Sequence, residues 1–198
     1  MDKHPRRRID RSVAEPPTLE TARLVLRPLT PEDAPTLKRL AGRREIADTT
    51  ISIPHPYSEQ QARQWIAGNA ELFARGKVVV FGIQMKSGRS LVGGIGLRDI
   101  DPEHSQAELG FWIAVKCWGK GYATEAARAV VAFGFEELGL NRIYAHHMVT
   151  NPASGSVLAK IGMKPEGLLR QRVRKWGVFE DVVPLALLRE EWSKGLKR

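Results

Sequence analysis

From Cys117 to Leu140 the chain reads CWGKGYATEAARAVVAFGFEELGL, and this stretch constrains the fold more than any other. Gly119 and Gly121 stand directly before a run in which Ala126, Ala127, Val130, Val131, Phe135 and Leu138 recur at spacings of three and four. That periodicity predicts a helix from Ala123 to Leu138 with one buried face. Immediately upstream, AELGFWIAV from Ala107 to Val115 reads as a strand. A strand therefore feeds a helix through nearly bare backbone. The first N–H groups of a helix have no partner inside it, and the helix dipole adds about half a positive charge at that end. Glycines let an anion approach such a terminus without a Cβ in the way. The stretch is either a tight turn or an anion site. It lacks the longer glycine spacing of dinucleotide folds and the Gly-Lys-Ser/Thr order of a nucleoside-triphosphate loop.

The flanking sequence supplies the remaining elements. RLVLRPL, Arg23 to Leu29, alternates as a half-buried strand does, and Thr30, Pro31 and Asp33 form the start signal of a helix reaching about Gly42. Ile51 to Tyr57 carries Pro54 and Pro56 and reads as loop, after which Ser58 caps a second helix running through Gln64 to Phe73. KVVVFGIQM and LVGGIGLRDI flank the turn KSGR, so residues 77–100 form an antiparallel hairpin. RIYAHHMV is a strand, PASGSVLAKIG a short helix capped by Asn151, and MKPEGLLRQRV with FEDVVPLALL the closing strands. No internal repeat is visible.

A chain of 198 residues suits one domain, expected over residues 18–198. Ahead of it, residues 1–17 hold the most concentrated basic run, Lys3 to Arg11, followed by Pro16 and Pro17. This is expected to be a solvated, disordered tail, with an RNA-binding arm as the alternative. Lys and Arg number 31 against 22 Asp and Glu, a net charge of +9 that favours an acidic ligand without saying which. No run approaches the ~18 apolar residues of a membrane span, and the N-terminus lacks the apolar stretch of a secretory signal. With one cysteine, Cys117, these features suit the reducing cytoplasm.

VKCWGKGYATEA resembles motif A of the GNAT superfamily of acetyl-CoA-dependent N-acyltransferases, whose pattern is Arg/Gln-x-x-Gly-x-Gly/Ala. NPASGSVLAKIGM, Asn151 to Met163, resembles the second motif of its RimJ/RimL-like branch, and ETARLVLRPLTPEDA, AELGFWI and FEDVVPLALLREEW match that branch in order. The resemblance covers Leu19 to Trp192. It implies an α/β (α+β) GNAT fold: a twisted, mostly antiparallel sheet of about seven strands, splayed between the fourth and fifth, with about four flanking helices. It further implies that Ile113 and Val115 pair with the pantetheine arm of acetyl-CoA, and that N–H groups of Trp118, Gly119, Lys120, Gly121, Tyr122, Ala123 and Thr124 hold the pyrophosphate. Lys116 stands where the motif carries Arg or Gln, which keeps charge but loses the planar fork. Asn151 is expected to hydrogen-bond the cofactor arm.

Amine acetylation needs a neutral amine, an oxyanion donor for the thioester carbonyl and a proton for the leaving thiolate. Glu108, on the strand leading to the cofactor, is the candidate base, acting through water; it reads equally as a structural carboxylate bonded to a neighbouring strand. The Ile113 N–H is the candidate oxyanion donor. Where many superfamily members carry a tyrosine the chain has Leu158, so Ser154, matching the branch's Asn-x-x-Ser pattern, is the candidate proton donor, with helix capping as the other reading. Tyr57, in the loop that borders the acceptor in this fold, Trp112 and Asp181 are candidate acceptor contacts, against loop packing, core packing and a solvated charge. His146 and His147 are adjacent on a strand, so they face opposite ways and cannot chelate one metal together. No metal is expected, and Cys117 has no evident base for covalent chemistry.

The activity expected is transfer of acetyl to a primary amine, foremost a protein N-terminal α-amine of the ribosomal-protein type. The alternatives are a polyamine or antibiotic acceptor, or a non-catalytic domain that binds acyl-CoA or nucleic acid. A polycationic acceptor would need a locally acidic cleft, which Glu59, Glu71, Glu108, Glu180 and Asp181 could supply. Nucleic acid and membrane are not the expected partners, and the domain is expected to be a monomer or homodimer.

Overall fold

The expected hairpin is built as β3 (Val79–Met85) and β4 (Leu91–Asp101), paired antiparallel. In the computed structural model, which describes residues 15–195, it lies at the centre of one sheet. β1 (Leu19–Glu20) and β2 (Leu24–Arg27) precede β3, and β5 (Gln106–Ile113) follows β4. β6 (Arg142–Met148), β7 (Lys164–Pro165), β8 (Leu169–Lys175) and β9 (Val178–Leu188) complete the sheet, in the order β1-β2-β3-β4-β5-β6-β9-β7 with β8 on β9. Nine strands among the described residues exceed the expected seven partly because β1 and β7 are two-residue strands, too short to leave a periodic signal.

The helices are α1 (Ala34–Ala41), α2 (Arg44–Thr49), α3 (Glu59–Ala74), α4 (Tyr122–Glu136), α5 (Pro152–Lys160) and α6 (Arg189–Gly195). Each foreseen start has a physical cause. The Thr30 N–H donates to Asp33 Oδ2 at 2.9 Å before α1, whose entry is a 3-10 turn over Pro31–Asp33. Ser58 Oγ accepts from the Gln61 N–H while Gln61 Oε1 accepts from the Ser58 N–H, a reciprocal capping box at α3. Asn151 Oδ1 accepts from the Ser154 N–H at α5. α2 was not foreseen, since six residues carry no usable period.

Two apolar clusters hold the layers. Leu24, Phe81, Leu97, Ile113, Val130, Phe135 and Ile143 join the sheet to α4, while Leu37, Leu40, Ala62, Ile66, Leu91 and Trp112 pack α1 and α3. Trp112 and Ile113 are consecutive on β5, so their clusters lie on opposite faces of the sheet. Among the described residues, no helix is long and apolar enough to cross a membrane. The basic run Lys3 to Arg11 lies outside the described residues.

β5 and β6 run parallel and pair only from Gln106↔Arg142 to Glu108↔Tyr144, then part. This is the splay expected between strands four and five, here between β5 and β6. One boundary needs correction: β5 stops at Ile113 rather than Val115. The Ala114 N–H still donates to Val92 O, but Val115–Cys117 is a 3-10 turn, and Val115 packs against the α1/α3 cluster.

Candidate active site

Strand alternation decides which backbone groups face the gap. Because the Ala114 N–H points to Val92 on β4, the N–H and C=O of Phe111 and Ile113 point the other way, toward β6 and the splay. The Ile113 carbonyl accepts from Trp118 Nε1 at 2.6 Å, which leaves the Ile113 N–H as the group turned to the gap. Val115, off the strand, does not line the cavity beside the gap.

A cavity of about 370 Å³ runs from this gap to the mouth of α4. It is lined by Ile113, Trp118, Gly119, Gly121, Tyr122, Ala123, Thr124 and Asn151, which brings together most of the residues expected around the cofactor. Gly119 and Gly121 have φ of 72° and 79°, the left-handed region that glycine enters without strain, and Gly121 is the N-cap of α4. The N–H groups of Tyr122, Ala123 and Thr124 have no partner inside the helix. The Trp118 N–H is already given to Val115 O, so it drops out of the expected set of donors. Lys116 and Lys120 do not line this cavity; the Lys120 carbonyl instead accepts from Arg23 Nη1.

The cations at the helix mouth come from residues that sequence reasoning missed. Arg23, Arg128 and Lys160 line an open hollow beside Gly121 and Thr124. Arg23 is fixed there by Glu125, which accepts from the Arg23 N–H at 2.8 Å, from Arg23 Nε at 2.7 Å and from Thr21 Oγ1 at 2.7 Å. Burial alone would raise the Glu125 pKa, but these donors outweigh it and hold the carboxyl below the usual range. A strand-end arginine paired to a glutamate about a hundred positions away leaves no local trace in sequence.

A second cavity, of about 460 Å³, opens on the other side of the gap, walled by the 50–57 loop, α3, β4, β5 and β6. Tyr57 and Trp112, the candidate acceptor contacts, line it, and burial raises the Tyr57 pKa. Trp65 also lines it. Asp181 lines neither cavity: its Oδ1 accepts from the Gln171 N–H on the β8–β9 hairpin, so its role as an acceptor contact is withdrawn. Glu59, Glu71 and Glu180 are absent from the wall as well, so the described residues do not assemble the acidic cleft that a polycation would need.

Among the described residues Glu108 is the one carboxylate of this wall, and it is 9% exposed. Its Oε1 accepts from Arg98 Nη2, across the strand pair, at 2.6 Å and stands 3.2 Å from His146 Nδ1 on β6. The reading of Glu108 as a carboxylate tied to a neighbouring strand thus describes its surroundings. His147 also lines this cavity, with its ring packed against Gly155 of α5.

The two cavities share Thr49, Thr50, Phe111, Trp112, Asn151 and Ser154. At this junction Asn151 has both donors committed: besides capping α5 through Oδ1, its Nδ2 donates to Thr49 O at 2.8 Å and to Ser154 Oγ at 2.9 Å. Its side chain braces α2 against α5 and has little left for a ligand. Ser154 is not the cap. Its oxygen accepts from Asn151, which leaves the hydroxyl hydrogen available to another acceptor. Leu158 is 1% exposed in the main core, so no tyrosine hydroxyl could be offered from there without opening it.

Residues 23–164 match the family model of the acetyltransferase (GNAT) domain. The chain is 35% identical over 165 residues to the uncharacterized N-acetyltransferase YoaA of Bacillus subtilis (strain 168), covering 83% of this chain and 93% of that one. It is 30% identical over 125 residues to the ribosomal-protein-serine acetyltransferase of Escherichia coli (strain K12), covering 63% and 69%. The crystal structure of a GNAT-family acetyltransferase from Bacillus anthracis superposes with a TM-score of 0.78 at 26% identity, over 88% of this chain and 100% of that one.

Proposed function

The chain belongs to the GNAT acetyltransferases, an acetyl-transferring enzyme family, and we propose that it carries acetyl from acetyl-CoA to the α-amine of a protein or peptide N-terminus by direct attack in a ternary complex. The observation that carries this reading is the meeting of two cavities at Ser154 and Asn151, in the gap where β5 leaves β6. The cofactor arm enters along the α4 side, its phosphates held by the helix N-terminus with Arg23, Arg128 and Lys160 nearby. The acceptor enters from the other side. Its nitrogen attacks the thioester carbon, the Ile113 N–H steadies the oxyanion, and the C–S bond breaks. Ser154 Oγ–H supplies the proton taken up by the thiolate, and water returns one to the serine.

Among the described residues the acceptor wall has one carboxylate, already paired with Arg98, which suits a single amine on a largely neutral chain better than a polycation. The name of the E. coli relative supports a protein N-terminus as acceptor. The test is transfer of labelled acetyl into a hexapeptide with an unblocked N-terminal serine, into spermidine and into kanamycin, with products identified by mass. Label is expected on the peptide α-amine. Label confined to spermidine or kanamycin would overturn the choice of acceptor, and no label in any, with acetyl-CoA bound in calorimetry, would favour a binding module.

A further inference from the structure

His146 cannot share a metal with His147, yet it occupies the acceptor wall beside Glu108. We propose that His146, held by Glu108, is the base that takes the proton from the attacking amine. This rests on the acetyltransfer reading above and deepens it.

The geometry gives the tautomer. Glu108 Oε1 stands 3.2 Å from His146 Nδ1, and an ionised carboxylate can only accept, so the hydrogen of a neutral imidazole is on Nδ1. Nε2 then carries the lone pair, and it makes no hydrogen bond among the described residues. Glu108 is itself poorly suited to take the proton. Its Oε1 is already engaged by Arg98 Nη2 at 2.6 Å and by His146 Nδ1 at 3.2 Å, and the residue is 9% exposed, so the ring nitrogen rather than the carboxylate is turned to the acceptor. The same carboxylate steadies the imidazolium formed when Nε2 is protonated, the division of labour by which a buried acid orients a histidine base. The Tyr144 ring meets His146 edge-on at 5.7 Å and limits its rotation. His146 and Tyr144 project from one face of β6, while His147 also lines the cavity but packs its ring against Gly155 of α5.

In the proposed step the amine nitrogen bonds to the acetyl carbon as one N–H proton passes to His146 Nε2. The C–S electron pair leaves with the thiolate, which is protonated through Ser154, and the imidazolium returns its proton to solvent. Histidine is the side chain whose ordinary titration falls between about pH 5 and 8, which suits an α-amine acceptor better than a lysine one. The groups that bear on its charge are Glu108 on β5, Arg98 on β4, Tyr144 on β6 and Glu166 after β7, the last through its charge.

The experiment measures acetylation of the serine hexapeptide against pH for the unaltered enzyme, His146→Gln, His146→Ala and Glu108→Gln, with acetyl-CoA affinity by calorimetry as a check on folding. His146→Gln is expected to lower kcat about 100-fold with acetyl-CoA affinity kept, and to remove one limb of the pH profile. His146→Ala is expected to regain activity with added imidazole, which a packing role would not produce. Glu108→Gln is expected to lower kcat about 10-fold with acetyl-CoA affinity kept, because the ring loses the acceptor that orients it. His146→Gln within about twofold of the unaltered enzyme with the limb intact would overturn the proposal and leave acetyltransfer standing. An unaltered enzyme that acetylates none of the three acceptors would overturn both.

Discussion

Asp33 shows how one residue joins a capping signal to the sheet. Its carboxylate is 9% exposed and receives Arg27 Nη1 and Nη2 at 2.8 Å each, besides the Thr30 N–H. Burial alone would raise its pKa, but the arginine fork and the backbone donor outweigh it and hold the carboxyl below the usual range. A carboxyl whose pKa is depressed by folding adds stability above its unfolded value, near 3.9, and loses it as the pH falls through the lower folded value. Asp33→Asn is therefore expected to cost about 2 kcal/mol at pH 7 and progressively less below about pH 4. Urea unfolding at pH 7 and pH 3 checks this; an equal difference at both would mean that charge is not the cause. The capping half of the arrangement was legible in Thr30-Pro31-Glu32-Asp33, because its partners are three residues apart. The Arg27 half was not, because it needs the turn from β2 into α1.

At the level of elements, α4 and the gap beside β5 carry the chemistry. Gly121 caps α4 with φ of 79°, and a Cβ there would stand 3.4 Å from Arg23 Nη2. Asn and Asp both tolerate this backbone better than other side chains and have the same shape, so comparing them separates charge from strain. Gly121→Asp is expected to bind acetyl-CoA about 10-fold more weakly than Gly121→Asn at low salt, with the difference shrinking at 1 M salt and similar melting temperatures. Calorimetry at the two salt concentrations decides; equal affinities would remove the phosphates from the α4 mouth. The helix and its glycines were readable because both signals are local and periodic. α2 was not, although Thr49 and Thr50 border both cavities, since its place is fixed by Asn151 and by the β8–β9 hairpin rather than by its own sequence.

For the molecule as a whole, the site is enclosed by ties between segments far apart in the chain. Trp176 Nε1 donates to Asp48 Oδ1 at 2.7 Å with Arg44 stacked 4.0 Å over the ring, Lys175 Nζ donates to Thr50 O at 2.7 Å, and Asn151 Nδ2 reaches Thr49 O. Trp176→Ala is expected to cut the first of these and raise the KM for the acceptor about fivefold, roughly 1 kcal/mol, with kcat changed less. Steady-state kinetics on the serine hexapeptide checks it; an unchanged KM would show that the hairpin does not position α2. The sequence by itself determined the elements whose signals repeat within a turn or a strand: the β3–β4 hairpin, the capped helices, the glycine mouth of α4 and the family they spell together. Only the tertiary structure decided that Asp181 stands off the site, that Val115 leaves β5, that Arg23 reaches α4 and that His146 meets Glu108. Those relations depend on pairing and packing between distant segments, and neither periodicity nor composition encodes a partner that lies many residues away.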